Sequence, residues 1–150
     1  MSETSTGSNT PLAVALAQDI RGFARILKRR LREQADGGDL TPSQTAVLLR
    51  LENDGPATTS ALARIEGMRP QSMGWVIAAL EEAGLVAGAP DTADGRQTIL
   101  SMTDKCRSWL AQARAARQDW LSRTIDAQLS PQEQEQVAAA MLLLRRLTGN

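Results

Sequence analysis

Residues 59 to 103 constrain this chain more than any other stretch. A short apolar pattern over Thr59–Glu66 (Leu62, Ala63, Ile65) predicts a helix, and Gly67 supplies a turn. A second helix is expected from Pro70 to Ala83, with Met73, Ile77 and Leu80 as its inner stripe, Val76 at the edge and Gly84 just past its end. Leu85–Ala89 and Gln97–Met102 then read as two short strands, separated by the turn residues Pro90, Asp91, Asp94 and Gly95. Helix, turn, helix and hairpin in this order make a winged helix-turn-helix. A helix of this kind fits the major groove of duplex DNA, and a cationic hairpin tip reaches the minor groove beside it. The pattern therefore implies regulation of transcription rather than chemistry.

The flanking segments are helical and more apolar than one small winged domain can cover. Leu12, Leu16, Ile20, Phe23, Leu27 and Leu31 recur at three- and four-residue steps, with Arg21, Arg25, Lys28 and Arg32 on the opposite side. This helix is expected over residues 12 to 34 and to stop at Asp36-Gly37-Gly38-Asp39. Thr41-Pro42-Ser43-Gln44 opens the next helix with a capping box and Pro in the first turn, and Asn53-Asp54-Gly55-Pro56 ends it. A long helix begins near Thr103-Asp104, with Cys106, Trp109, Leu110, Ala113, Trp120 and Leu121 on its inner face. Ser130-Pro131-Gln132-Glu133 is a second capping box, opening a last helix with Val137, Met141, Leu144 and Leu147 as its stripe. The wide faces of the first and last helices are expected to be buried against a second copy. A twofold dimer would set two recognition helices one helical turn of DNA apart.

Composition narrows the functional classes. The chain has 150 residues, with 17 Lys plus Arg against 17 Asp plus Glu, so any basic footprint must be local. Between Ala57 and Met102 the cations are Arg64, Arg69 and Arg96, against Glu66, Glu81, Glu82, Asp91 and Asp94. A single Cys and no His argue against a zinc site, a disulfide and acid–base catalysis; no catalytic residue, metal or cofactor is expected. No apolar run is long enough to span a membrane, and residues 1 to 10 read as a disordered tail without a secretory pattern. Together these features suit a cytoplasmic protein: one domain over residues 11–150, with a DNA-binding lobe at about 41–102 and a dimerisation lobe made of about 11–36 and 104–150.

Two groups of residues resemble the MarR family, the multiple-antibiotic-resistance type of bacterial regulator. One is Asp94-Gly95-Arg96 followed by Ile99-Leu100-Ser101-Met102-Thr103. The other is Ser60-Ala61-Leu62-Ala63 leading to Arg69-Pro70-Gln71-Ser72-Met73 and Leu80-Glu81-Glu82-Ala83-Gly84-Leu85-Val86. The resemblance runs from about Leu12 to Leu147. It implies a homodimer on a pseudopalindromic operator of double-stranded DNA, usually acting as a repressor. It also implies release by a small, often aromatic effector. Two departures stand out: Cys106 replaces a small residue, often Gly, and Gly88-Ala89 occupies a position where many relatives carry a cation.

On this reading the DNA-contacting residues are Arg64, Arg69, Gln71, Ser72, Trp75 and Arg96. Gln71 suits adenine through paired hydrogen bonds, and Ser72 suits base or phosphate; the plainer alternative for both is solvated surface. Trp75 lies on the face opposite Met73 and Ile77. It either packs on a sugar or thymine methyl, or covers the wing or the preceding helix. Arg96 either enters the minor groove or is held by Asp94, which supports the wing rather than touching DNA. Phe23 and Trp109 are candidates for an effector pocket, with ordinary core packing as the alternative. A winged-helix module that binds protein instead of DNA is the competing function.

Overall fold

The computed structural model describes residues 9–35 and 40–149. The expected tail lies outside them except for Asn9 and Thr10, and so does the expected stop at 36–39. In chain order the elements are α1 (Pro11–Glu33), α2 (Pro42–Asp54), β1 (Ala57–Thr58), α3 (Thr59–Ile65), α4 (Pro70–Glu82), β2 (Val86–Pro90), β3 (Thr98–Met102), α5 (Asp104–Gln128) and α6 (Pro131–Arg146). The starts of α1, α2, α3 and α6 are fixed by side-chain caps that satisfy first-turn N–H groups. Thr41 and Gln44 exchange bonds of 3.2 and 2.9 Å, and Ser130 and Glu133 bonds of 3.2 and 2.8 Å. Thr10 accepts from Ala13 N–H and Thr58 from Ala61 N–H, each at 3.1 Å.

The chain divides into two compact units, Asp36–Ala115 and Met1–Ala35 with Ala116–Asn150. The first unit has a closed core. Val47, Leu48 and Leu51 of α2, Leu62 and Ala63 of α3, and Met73, Ile77 and Leu80 of α4 are buried together with Leu85, Val86, Leu100, Met102 and Cys106. An antiparallel sheet of order β1-β3-β2 covers one side, with Ala57 opposite Leu100 and Val86 opposite Met102. The strand β1 has only two residues, too short to leave a strand pattern in the sequence. Ile65, expected inside, is 47% exposed: it sits in the last turn of α3, past the reach of the core.

The second unit is different. None of its described residues is buried. Leu12, Leu16, Ile20, Phe23 and Ile26 of α1 and Val137, Met141, Leu142 and Leu143 of α6 are exposed. Leu27 and Leu31 of α1 and Leu144 of α6 are half-buried, so one chain leaves most of both sequence stripes uncovered.

Thr103 joins three elements of the first unit. Its hydroxyl donates to the Gly84 carbonyl at 2.6 Å and accepts from Cys106 N–H at 3.1 Å, capping α5, while its N–H reaches the Leu85 carbonyl at 3.2 Å. Lys105 Nζ donates to the Ala83 carbonyl at 3.0 Å, at the electronegative end of α4. The end of α4, the start of the hairpin and the start of α5 are thus one hydrogen-bonded junction. The sequence reading took Thr103 only as a helix boundary.

Two predictions follow from this packing. A Cβ placed on Gly88 of β2 would lie 2.7 Å from Thr98 Cγ2, a methyl on a stiff β-branched side chain, and 3.5 Å from Leu100 Cδ2. Gly88→Ala should lower stability by about 1–3 kcal/mol, the usual size of overpacking, in denaturant unfolding. Separately, Arg114 of α5 forms a two-pronged ion pair with Glu52 of α2 and holds the Glu52 carboxyl below its ordinary value of 4.5. The folded-state pKa is depressed, so this stability is present above 4.5 and is lost as pH falls through the folded value. Glu52→Gln should cost about 0.2–1 kcal/mol at neutral pH, because the pair is partly exposed, and the deficit should vanish in acid melts.

Candidate nucleic-acid interface

The turn between α3 and α4 is built by backbone hydrogen bonds. Gly67 has φ +64°, and its N–H donates to the Arg64 carbonyl at 3.3 Å while Met68 N–H donates to the Ala63 carbonyl at 2.8 Å. This paired closure needs a left-handed residue after the helix, which is why Gly stands there. The same closure ends α4: Gly84 has φ +74°, with Gly84 N–H to the Glu81 carbonyl and Leu85 N–H to the Leu80 carbonyl, both 2.9 Å. Between these two stops α4 is gripped by Met73, Ile77 and Leu80, all buried.

The opposite face of α4 is open. Gln71, Trp75, Ala78 and Glu82 are all exposed, and Trp75 keeps 69% of its surface. That exposure excludes the reading in which Trp75 covers the wing or the preceding helix. Ser72 sits half-buried beside Gln71. Arg69 is the N-cap residue but makes no side-chain cap, so the first-turn N–H groups of α4 have no side-chain acceptor. A helix start of this kind favours an anion such as a phosphate. At the other end, exposed Glu81 and Glu82 repel phosphate. Electrostatics thus favour approach by the N-terminal half of α4.

The hairpin tip is closed by four bonds. Asp91 N–H reaches the Gln97 carbonyl at 2.8 Å and Gln97 N–H the Asp94 carbonyl at 3.0 Å. The Asp91 and Asp94 carboxylates accept from Ala93 and Arg96 N–H at 3.0 and 3.1 Å. Asp94 therefore holds the Arg96 backbone rather than its guanidinium. Among the described residues, Arg64, Arg69 and Arg96 are exposed and form no ion pair. By contrast, Arg50 is occupied by Asp54 at 3.3 Å and Glu66 at 3.4 Å.

Six of the residues expected at DNA thus fall in one unit, on α3, on α4 with its N-cap, and at the hairpin tip. The two expected pocket residues do not share a unit. Phe23 is 64% exposed on α1, whereas Trp109 is half-buried against the core of the other unit. A cleft of about 250 Å³ in that unit is bounded by Glu52, Pro56, Ser101 and Arg107, and neither Phe23 nor Trp109 lines it. Cys106 is fully buried, and burial, with the nearby Glu52 charge, pushes its thiol up, away from the reactive thiolate.

Sequence reasoning missed Thr58 as the α3 cap, Lys105 as a cap on α4, and the tight fit at Gly88. The run Thr58-Thr59-Ser60 signals a cap without choosing among its members; the other two depend on contacts between elements distant in sequence.

Comparison with known proteins agrees with this geometry. The family model described as MarR family matches residues 40–98. An HTH-type transcriptional regulator of Mycobacterium bovis is 36% identical over 132 residues, spanning 88% of this chain and 92% of that one. Another, from Mycobacterium leprae, is 39% identical over 106 residues, or 71% of this chain and 74% of its own length. Among solved structures, a transcriptional regulator protein from Pseudomonas aeruginosa superposes with a TM-score of 0.77 at 33% identity, covering 94% of this chain and 99% of that one. A mutant MepR of S. aureus bound to an oligodeoxyribonucleotide shares the fold, with a TM-score of 0.69 at 21% identity over 89% of this chain and 96% of that one. The chain belongs to the MarR family of winged helix-turn-helix transcriptional regulators.

Proposed function

We propose that the chain is a cytoplasmic repressor that binds a pseudopalindromic operator as a homodimer and releases it when a small aromatic effector binds. The observation that carries the DNA reading is the open face of α4. Its inner stripe is fully engaged, its outer face presents Gln71 and Trp75, and its N-terminal end is uncapped beside Arg69. On this reading Gln71 meets base edges, Ser72 a base or phosphate, Arg64 and Arg69 the backbone, and Arg96 the minor groove, with Asp94 holding the wing tip. The same fold carries an oligodeoxyribonucleotide in MepR.

The dimer reading is supported by the second unit, which has no buried described residue and exposes the apolar stripes of α1 and α6. Burying one Leu or Ile side chain is worth about 1.5–3 kcal/mol, so covering even a few of them is strongly favourable. A second copy supplies matching stripes by symmetry. The lobe at about 41–102 is then the reader, and residues of about 11–36 and 104–150 the dimerisation lobe. The effector is the part of the proposal carried by family likeness alone; a thermal-shift screen of aromatic acids identifies its class.

Fluorescence anisotropy on duplexes from the DNA upstream of the chain's own gene tests the reading. Arg96→Ala should weaken binding to all sequences, whereas Gln71→Ala should relax preference at particular bases, at a cost of about 1–3 kcal/mol. The reader carries few unpaired cations, so affinity should fall only gently with salt. Parent-like binding by both variants contradicts the site assignment. Absence of sequence preference at any salt favours a protein-binding module instead.

A further inference from the structure

The outward face of α4 has a composition that selects among base pairs. Gln71, Trp75, Ala78 and Glu82 are its exposed residues, and none is a cation. The commonest direct contact to guanine, a forked Arg or Lys on O6 and N7, is therefore not available from this face. Arg69 stands outside it, at the N-cap, a position that suits a phosphate. Gln71 pairs best with adenine N6 and N7.

Trp75 is the unusual member. Its indole is 69% exposed, and its neighbours do not shield it: Ala78 carries one methyl, and Gly74 is so open that an added Cβ would meet nothing within 4 Å. A projecting apolar ring at the middle of a groove-facing helix finds one apolar partner in the major groove, the C5-methyl of thymine. Gln71 and Trp75 are four residues apart, a rise of about 6 Å. That is the length of about two base-pair steps at 3.4 Å each.

We propose that Trp75 is a specificity-determining residue that reads a thymine methyl, and that with Gln71 it makes α4 a reader of an A·T-rich half-site. The adenine read by Gln71 and the thymine read by Trp75 lie about two base pairs apart. This rests on the DNA-reading proposal above and adds to it the class of sequence recognised.

The test uses the full chain and a random duplex pool. Preferred duplexes are selected, and each thymine of the half-site is then replaced singly by deoxyuridine, which removes only the C5-methyl. For the parent, one thymine per half-site should be sensitive, with binding weakened about three- to fourfold, the worth of one buried methyl. For Trp75→Ala the same replacement should have no further effect, and Trp75→Phe should keep part of the sensitivity. Trp75 is exposed, so thermal melts of both variants should match the parent, which separates lost reading from lost folding. Equal uracil sensitivity in parent and Trp75→Ala, or selected half-sites in which guanine dominates under α4, overturns the inference while leaving DNA binding intact. A pool that yields no preferred duplex overturns the DNA-reading proposal itself, and this inference with it.

Discussion

One side of α4 is clamped, and the clamp is what makes the other side usable. Met73, Ile77 and Leu80 are buried in a core that also holds α2, α3 and β3, so the helix cannot roll to hide its outer residues. Such a grip is worth several kcal/mol at about 1.5–3 per large side chain, far more than the cost of leaving an indole in water. The two ends are fixed as well. Gly67 and Gly84 adopt left-handed conformations that close the preceding turns, and Thr103 and Lys105 tie the far end to α5. The helix is thus presented as a rigid rod whose outer face is set by which side chains happen to stand there.

Charge is arranged by the same logic. The reader has no broad basic surface. It has a few arginines left unpaired at the edges of α4 and at the hairpin tip, while other cations are occupied by neighbouring carboxylates such as Glu52, Asp54 and Glu66. The acidic end of α4 opposes close approach to phosphate, and the uncapped end invites it. The proposed orientation on DNA thus rests on the charge difference between the two ends of one helix of 13 residues. The second unit follows a different constraint: with no buried described residue, its apolar stripes remain an open surface until something covers them.

Most of the fold was legible in the sequence because local rules decide it. Capping boxes at Thr41 and Ser130, Pro in first turns, and Gly after helix ends act over a few residues, and those helix starts fell where expected. Apolar steps placed the buried stripe of α4 correctly. What escaped depends on tertiary contacts. The two-residue β1 exists only because β3 pairs with it. Ile65 obeys the apolar period of α3, yet it lies beyond the core. The junction at Thr103 and the crowding at Gly88 join residues that nothing in the linear pattern connects. For the candidate site, residue types and helix face were readable at Gln71 and Trp75. The guanidinium of Arg96 was not: the carboxylate beside it turned out to hold the backbone.

The central claim is that the outer face of α4 enters the groove of a duplex. The most direct test is fluorine NMR of the chain labelled with 5-fluorotryptophan, in which three tryptophans give three signals and a Trp75→Phe variant assigns one of them. Adding a selected duplex should shift the Trp75 signal strongly and remove its sensitivity to exchange of light for heavy water. If the duplex binds while Trp75 stays as solvent-exposed as in the free protein, the account is contradicted.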